Sequence, residues 1–381
     1  MTAFALAAQE REWCARVRAL AVERLVPLAE RGAPGRVNRP LVAALGELGL
    51  LARVFPEGGP VRVLDLCLLR ETLAQVSTDA ETALALQGLG ACPVFWSGSA
   101  AQRARWMPEV VAGRAVAAFA LSEPDAGSDA AALSLAAEPD GRAPDGSPRW
   151  RLTGEKCWIS NAPGADFATV FARTGGAPGS RGVTAFLVPA DRPGLTGAPL
   201  EMIGPHPVGT LVFDGVPVTR DDVLGEVDRG FGLAMRTLNL FRPSVGAFAV
   251  GMAQAALDAA LAHAASRTAF GGPLKDLQSV SHQLAEMATR TEAARLLVYA
   301  AATAYDTGAA DAVRRAAMAK LFATEAAQYV VDAAVQIHGA RALRRGHLLE
   351  HLYREVRAPR IYEGATEVQR TIIAKELYRE A

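Results

Sequence analysis

The chain divides into three stretches by the spacing of its apolar residues. In the first stretch, which ends near residue 116, apolar residues recur at helical spacing, as Val17, Leu20, Leu25 and Leu28 do. This pattern predicts five helices: Arg16–Ala29, Leu41–Leu51, Leu64–Val76, Thr82–Leu89 and Ala100–Val111.

The second stretch, from residue 117 to about 224, has short alternating runs interrupted by Gly, Pro and Asp. The runs predict strands over Trp150–Thr153, Phe167–Arg173, Val183–Val188 and Thr210–Phe213. Between them, we predict turns at Pro139–Gly141, Thr174–Gly176 and Asp214–Gly215. Short strands at this spacing indicate a β-barrel-like or sandwich-like domain.

The third stretch returns to long helices rich in Ala and Leu. We predict helices over Pro243–Ser266, Ser279–Thr307 and Ala309–Ile337, and a last one after Glu363. The last helix carries four apolar residues on one face: Val368, Ile372, Ile373 and Leu377. We therefore predict an α+β protein with domains at 1–116 (helical), 117–225 (β) and 226–381 (helical).

Charge and composition narrow the class of protein. Forty Lys and Arg balance forty Asp and Glu, which argues against a nucleic-acid or membrane partner held by bulk charge. The apolar run Ala3–Ala8 is too short for a secretory signal, and no uninterrupted run reaches the roughly 18 residues of a membrane span. The cysteines are scattered, which favours reduced thiols and a cytoplasmic location: Cys14, Cys67, Cys92 and Cys157.

Several motifs of known chemistry are absent. We find no GxGxxG loop after a strand, no P-loop and no GxSxG elbow. The segment His347–His351 matches H-x-x-E-H, a zinc pattern when it lies on a helix. It lacks an obvious third ligand and has arginine neighbours, so we interpret both histidines as surface or packing residues and expect no metal.

Two segments of the β stretch have residues suited to a planar ligand. In Phe119–Asp129, a short apolar run leads into a Gly/Ser/Asp turn, whose N–H groups and hydroxyls could hold a heterocycle or phosphate. An ordinary β-turn is the alternative. In Gly154–Asn161, Trp158 offers a flat surface beside the hydroxyl of Ser160. A tryptophan in a strand is more often a core residue.

Two further segments lie in the last helical stretch. Arg267–Gln278 separates two long helices with an arginine, an aromatic residue and a glycine pair, and such an arginine could bind a diphosphate or cap a helix. In Ile361–Gln369, Glu363 precedes Gly364 just before the last helix. A carboxylate there could serve as a general base or as an acid favoured by the helix dipole.

Together, in this order and spacing, the four segments resemble the acyl-CoA dehydrogenase family. The resemblance covers nearly the whole chain and is strongest at Ala120–Asp129, Gly154–Asn161, Arg267–Met287 and Arg354–Lys375. It implies an N-terminal helical domain, a middle β-barrel-like domain and a C-terminal four-helix bundle, in agreement with the three stretches. It also implies a homotetramer or homodimer.

The resemblance implies FAD as the cofactor, held between the β domain and the C-terminal helices. By position, the cofactor-binding residues are Phe119, Leu121, Ser122, Ser128, Trp158, Ser160, Arg267, Phe270, Gln278, Gln336, Gly339, Thr366 and Glu367. The group around Arg267 would reach FAD in a neighbouring subunit. The substrate-binding residues implied are Ser128, Asn239, Arg242 and Gly364.

The implied reaction is the α,β-dehydrogenation of an acyl-CoA to a trans-2-enoyl-CoA. Glu363 matches the catalytic base of the straight-chain members, while the position that some relatives use instead holds Phe241. In the family, flavin N5 accepts the β-hydride, and an electron-transfer flavoprotein takes the electrons.

Three departures from the family pattern leave alternatives open. The usual glycine loop reads Gly339–Ala342 with two alanines, the Glu-Gly-Thr motif reads Glu363–Thr366 with an inserted alanine, and Asn239 replaces an acid. One alternative is the same fold acting on an acyl-carrier-protein thioester in a biosynthetic pathway, or as an oxidase or reductase. Another is a non-catalytic scaffold that has lost FAD.

Overall fold

The computed structural model describes residues 6–177 and 179–380, without the side chain of Glu380. Residues 1–5 of the predicted first domain and residue 381 of the third lie outside the described residues. The described residues form twelve α-helices: α1 (Ala8–Leu20), α2 (Val26–Ala29), α3 (Arg39–Glu47), α4 (Leu50–Val54), α5 (Val63–Ala74), α6 (Thr78–Ser97), α7 (Ala100–Val111), α8 (Gly230–Ser266), α9 (Gln278–Asp306), α10 (Ala312–His338), α11 (Leu348–Glu355) and α12 (Thr366–Glu380).

The described residues also form ten strands. They are β1 (Ala117–Ala120), β2 (Ala136–Arg142), β3 (Pro148–Ser160), β4 (Phe167–Arg173), β5 (Val183–Pro189), β6 (Leu195–Leu200), β7 (Val208–Thr219), β8 (Val223–Leu224), β9 (Thr268–Ala269) and β10 (Gly272–Pro273). Eight form one sheet in the order β6-β7-β3-β2-β4-β5-β8, with β1 parallel to β4. The order of helical, β and helical parts predicted from the sequence is confirmed.

The described chain groups into two compact units. Unit 1 comprises Met1–Val26, Arg62–Glu81 and Asn239–Ala381, and unit 2 comprises Pro27–Val61 and Thr82–Leu238. The domain boundaries at 116/117 and 225/226 stay a prediction, since this grouping reflects compactness alone.

The helices of the first stretch were predicted with errors at their ends. Helix α7 has the predicted bounds, but the predicted helix Leu41–Leu51 is two helices, because Gly49 has a φ of 71° and ends the first. Helix α6 extends far beyond the predicted range Thr82–Leu89, and Gly90 and Pro93 lie inside it rather than at its end. A Cβ on Gly90 would lie 2.7 Å from the backbone of Ala117, so close packing requires that glycine.

Helix α8 begins at Gly230, well before the predicted start at Pro243. A proline often begins a helix because it lacks an N–H, but Phe241 and Val245 on either side of Pro243 are fully buried, and the helix continues through it. By length and composition alone, α8 could span a membrane. However, 72% of its most apolar window is buried inside the structure, as in the core helix of a folded domain.

The apolar face predicted for the last helix is only partly correct. Leu377 is 46% exposed, whereas the buried residues of α12 include Thr366 and Gln369. The buried face is therefore partly polar, which the apolar spacing alone could not indicate.

Two predicted turns lie inside strands. Asp214 and Gly215 fall within β7, where the pairing with β3 shifts register and Gly215 has a φ of 61°. Pro139–Gly141 likewise lies within β2, and the chain reverses instead at 143–147, where Ala143 N donates to Ser147 O at 2.9 Å. Glycine and aspartate mark a bulge as readily as a turn, which explains both errors.

The strands of the sheet pack around a core of buried apolar side chains. Strands β4 and β5 are buried along nearly their whole length. Trp150 packs against Phe186 with ring centroids 5.6 Å apart, in a cluster that also holds Leu152 and Phe213. This rigid layer fixes the ends of β1 and β3, which carry two of the predicted site segments.

Candidate active site

The segment around Glu363 has an unusual backbone in unit 1. It connects a 3₁₀ turn at Ala358–Arg360 to α12, with φ values of 51° at Glu363 and 96° at Gly364. Thr366 at the start of α12 anchors it, because its hydroxyl donates to Glu325 Oε1 at 3.0 Å. A left-handed conformation is unfavourable for glutamate, so surrounding groups must hold it in place.

The backbone at Glu363 and Gly364 is held by side chains that donate hydrogen bonds to the carbonyl oxygens of these two residues. Lys320 Nζ and Gln369 Nε2 both donate to Gly364 O, at 2.7 and 2.8 Å. Gln369 also lies 3.3 Å from Glu363 O, and Arg242 Nε lies 3.5 Å from that oxygen. The peptide is therefore held from α8, α10 and α12 together.

The carboxylate of Glu363 is poised to accept a proton. Its Oε2 is buried and has no hydrogen-bond partner among the described residues. Burial raises the pKa of Glu363 above its ordinary value, and the charges of Arg70, Lys320 and Arg242 oppose that rise. A carboxylate that is desolvated yet surrounded by cations is the environment expected of a general base.

The predicted substrate residues of α8 lie beside this carboxylate. Arg242 is 7% exposed, and its Nη1 donates to Asn239 Oδ1 at 2.5 Å. Because Asn239 is neutral, it satisfies the guanidinium without cancelling its charge. That charge acts on Glu363. The structure therefore brings Asn239, Arg242, Glu363 and Gly364 together.

Arg70 on α5 was missed by the sequence analysis. It is 2% exposed, forms an ion pair with Glu81 and donates from Nη1 to Ser244 Oγ at 2.7 Å. Among the charges around Glu363, Arg70 has the largest effect on its pKa. In the sequence, the position of this arginine within the apolar run of α5 was the one sign that it is buried and has a special role.

In unit 2, the two predicted flavin segments lie side by side. Cys157 N donates to Ser122 O at 3.0 Å, joining the end of β1 to β3. Phe119 and Leu121 are buried, Ser122 and Ser160 are half-buried, and Ser128 is exposed. Trp158 is 49% exposed, so the core interpretation of this tryptophan is wrong.

A buried ion pair, also missed from the sequence, supports these segments. Lys156 is fully buried, and its Nζ donates to Glu123 Oε1 at 2.8 Å and to Leu121 O at 2.9 Å. Glu123 also accepts from the N–H groups of Ser134 and Leu135. The pair therefore fixes the direction of the Leu121–Ser122 backbone.

We expect Lys156→Met to lower the free energy of unfolding by about 3–5 kcal/mol, because it leaves Glu123 buried without its counter-ion. The loosened Leu121–Ser122 backbone should also lower the FAD content of the purified protein. Urea unfolding and the flavin-to-protein absorbance ratio measure the two effects. Arg142→Met, which removes an exposed arginine of the same sheet, should change neither; equal effects of both variants would contradict this role.

The remaining cofactor residues predicted in unit 1 form a separate group. Arg267 follows α8, and Phe270 lies at the tip of the β9–β10 hairpin, 93% exposed with a φ of 52°. His263 near the end of α8 stacks on His338, between Gln336 and Gly339, with centroids 4.2 Å apart. Two segments distant in sequence therefore meet at one end of α8 and α10.

This group is distant from Glu363 within the same chain. Lys320, next to Glu363, and His338 are 18 residues apart on α10, which spans about 27 Å at 1.5 Å per residue. Gln278 begins α9 and is exposed. Glu367 is also exposed, and the Thr366 hydroxyl already donates to Glu325, so cofactor roles for these two residues stay predictions.

The histidine pair of α11 has structural partners. His347 caps α11 by accepting from Leu349 N at 3.1 Å, and His351 Nε2 lies 2.6 Å from Thr78 Oγ1. Among residues 6–177 and 179–380, no group of three or more His, Cys, Asp or Glu is placed to hold a metal ion.

Backbone conformation marks the site more clearly than residue type does. In the described part of the chain, five residues other than glycine have positive φ: Trp158, Asn161, Asp228, Phe270 and Glu363. Three of these are predicted site residues, and bulky side chains rarely adopt this conformation without a functional reason.

Protein-family models match the chain along most of its length. The acyl-CoA dehydrogenase N-terminal domain matches residues 7–114, the middle domain 118–216 and the C-terminal domain 228–378. Cyclohexane-1-carbonyl-CoA dehydrogenase of Geobacter metallireducens is 35% identical over 373 residues, which is 96% of this chain and 96% of that protein.

Two solved structures have the same fold over the whole chain. Butyryl-CoA dehydrogenase from Megasphaera elsdenii superposes with a TM-score of 0.90 at 33% identity, covering 99% of this chain and 100% of that one. PigA with FAD and proline has a TM-score of 0.91 at 26% identity, with 99% and 100% coverage.

The matched domains and the site define a flavin-dependent oxidoreductase that acts on a CH–CH bond. The chain belongs to the acyl-CoA dehydrogenase family. It dehydrogenates acyl-CoA with FAD as its cofactor.

The residues present fit FAD. The exposed indole of Trp158 suits a flat ring, the two segments that carry the half-buried Ser122 and Ser160 lie side by side, and the tip of the β9–β10 hairpin exposes Phe270. In the altered loop, Gly339 has a φ of 62°, and a Cβ there would meet no atom within 4 Å. Ala340 and Ala342 do not have positive φ, so their methyl groups do not strain the loop.

Proposed function

We propose that this protein converts an acyl-CoA to a trans-2-enoyl-CoA with Glu363 as the base. The observation that carries this proposal is the buried, unpartnered Oε2 of Glu363, which three cations surround. An acidic side chain in a purely structural role would have hydrogen-bond partners for both oxygens.

In the proposed reaction, the Cα–H bond breaks and its proton passes to Glu363 Oε2. The electron pair of that bond forms the Cα=Cβ double bond, and FAD, when bound, would supply the acceptor for the hydride that leaves Cβ. The same residue would stabilise the charge that develops on the thioester oxygen. No residue in 6–177 or 179–380 accepts a hydrogen bond from the Glu363 N–H, which leaves that donor for the substrate.

The side chains around Glu363 have distinct tasks. Lys320 and Gln369 fix the peptide, so that the carboxylate keeps one direction while substrate binds. The charges of Arg70, Arg242 and Lys320 favour the ionised form of the buried carboxylate and oppose the rise in its pKa from desolvation. Trp158, Ser122 and Ser160 would hold the flavin ring, and the Arg267 group would hold the diphosphate side of FAD in a neighbouring subunit.

An anaerobic screen tests the proposed reaction. Loss of the oxidised flavin absorbance on mixing with short, long, branched and cyclic CoA esters supports the dehydrogenase and identifies the acyl group. The named relatives act on cyclic and on four-carbon acyl groups, so both belong in the screen. Reduction by a carrier-bound acyl group and by no CoA ester would contradict the CoA substrate.

We further propose an oligomer, either a homotetramer or a homodimer. Helix α10 exposes Met318, Phe322 and Tyr329 at helical spacing, and the adjacent α9 exposes Leu296 and Leu297. An apolar face of this kind suits a second copy of the chain.

Phe322→Asp should therefore break the assembly into smaller species, since it places a charge in the centre of that face. Light scattering coupled to size exclusion measures the mass. Ala104→Asp, which adds a charge at an exposed position of α7, is the control and should leave the mass unchanged. An unchanged mass for the Phe322 variant would exclude this face as the interface.

We also propose that an electron-transfer flavoprotein takes the electrons and that the enzyme works in cytoplasmic fatty acid metabolism. All four cysteines are free, and Cys67 and Cys92 are buried, as expected in a reducing compartment. Reduction of added electron-transfer flavoprotein by enzyme and acyl-CoA tests the acceptor, and cell fractionation tests the location.

A further inference from the structure

A lysine occupies a core position on α10. Lys320 is fully buried on the helix face that also carries Ala316, Ala323 and Ala327. Its ammonium group donates to Gly364 O at 2.7 Å. Burying an ammonium group is costly unless it is paired, so this lysine needs a counter-charge.

Glu363 favours the charged form of Lys320. Several charged groups act on Lys320: Glu363, Arg242, Glu325 and Glu367, of which Glu363 has the largest effect and Arg242 acts in the opposite sense. Burial lowers the pKa of Lys320 to about 8, and Glu363 limits that decrease. Lys320 in turn opposes the burial-induced rise in the pKa of Glu363.

The hydrogen bond alone does not explain a lysine at this position. Gln369 Nε2 already donates to the same Gly364 carbonyl at 2.8 Å. A second neutral donor, or an apolar residue, would leave that oxygen satisfied. Unlike a neutral donor or an apolar residue at this position, Lys320 adds a positive charge beside the carbonyl of Gly364.

We propose that Lys320 is a positioning residue of the dehydrogenation, whose charge keeps the buried Glu363 carboxylate ionised while its ammonium fixes the Glu363–Gly364 peptide. This inference rests on the proposed role of Glu363 as the base.

The test isolates the proton step from hydride transfer. Acetyl-CoA has α-hydrogens but no β-carbon, so its exchange with deuterium in the FAD-loaded enzyme, followed by NMR, reports the base alone. In a plot of the exchange rate against pH, the acid limb is the part in which the rate rises as Glu363 loses its proton. Lys320→Gln should shift this acid limb to higher pH by about one unit, since Glu363 loses a nearby cation. At any pH on that limb, exchange should fall about tenfold.

At alkaline pH, the exchange rates of Lys320→Gln and the wild type should converge, because Glu363 is ionised in both and Lys320 loses its charge in the wild type. A variant that had only lost structure would stay slow at every pH. Gln369→Leu removes the other donor but keeps the charge, so its acid limb should not move. Lys375→Met, an exposed lysine on α12, is the control for charge loss.

The outcomes separate the two proposals. No exchange by the wild type, or exchange that survives in Glu363→Gln, would refute the base itself. Exchange by the wild type with an unmoved acid limb in Lys320→Gln would overturn the inference about Lys320. If Lys320→Gln does not fold, Lys320→Arg replaces it. An acid limb at the wild-type pH supports the role of charge, and an acid limb shifted by a full pH unit overturns it.

Discussion

Glu363→Gln is expected to leave the protein folded and yellow with FAD, yet to lower the rate of flavin reduction by acyl-CoA by at least about 10²–10⁴-fold. Glutamine has nearly the shape of glutamate and keeps the same backbone contacts, but it cannot accept the α-proton. The position used by some relatives holds the fully buried Phe241, which cannot act as a base.

Stopped-flow absorbance under anaerobic conditions measures this rate, and the flavin-to-protein ratio verifies that the cofactor is retained. Glu286→Gln is the matched control, because that glutamate is exposed on α9 and forms an ion pair with Arg290. Near-normal flavin reduction by the Glu363 variant would assign the base to another residue.

Gly364→Ala is expected to have the second-largest effect, with flavin reduction about 10²-fold slower and stability lower by about 1–3 kcal/mol. Gly364 has a φ of 96°, and an added Cβ would lie 2.4 Å from Gln369 Nε2. Gln369 must then release the Gly364 carbonyl, which turns the peptide that directs Glu363.

The control for Gly364→Ala separates backbone strain from the steric clash. Gly308 also has a positive φ, 66°, in the loop between α9 and α10, but a Cβ there would meet no atom within 4 Å. Gly308→Ala should therefore cost a similar backbone strain while flavin reduction stays normal. Equal rates in the two variants would show that the clash with Gln369 does not matter.

The periodic parts of the fold could be predicted from the sequence, because burial imposes a period on each element. Helix α7 and strand β4 have the predicted bounds. The errors lie where a residue can serve two purposes. Pro243 and Gly90 lie inside helices rather than at their ends, and Gly215 forms a bulge rather than a turn. Tertiary packing decides between these options, and one sequence does not contain it.

The site could be predicted in part, through residues that chemistry requires. Glu363, Arg242 and Asn239 were identified and lie together. Lys320, Arg70 and Lys156 were not, since their roles depend on partners far away in the chain. A charged residue within an apolar segment was their shared signal, and the sequence does not show which carbonyl or carboxylate such a residue meets.

The central claim is that Glu363 faces the α-carbon of a bound thioester. The most direct measurement is a crystal structure of the FAD-loaded protein with a non-oxidisable thioether analogue of acyl-CoA. We predict that Glu363 Oε2 lies about 3–3.5 Å from the carbon equivalent to Cα, on the face opposite the flavin. A Glu363 side chain turned away from the ligand, or a cavity filled by protein side chains, would contradict the account.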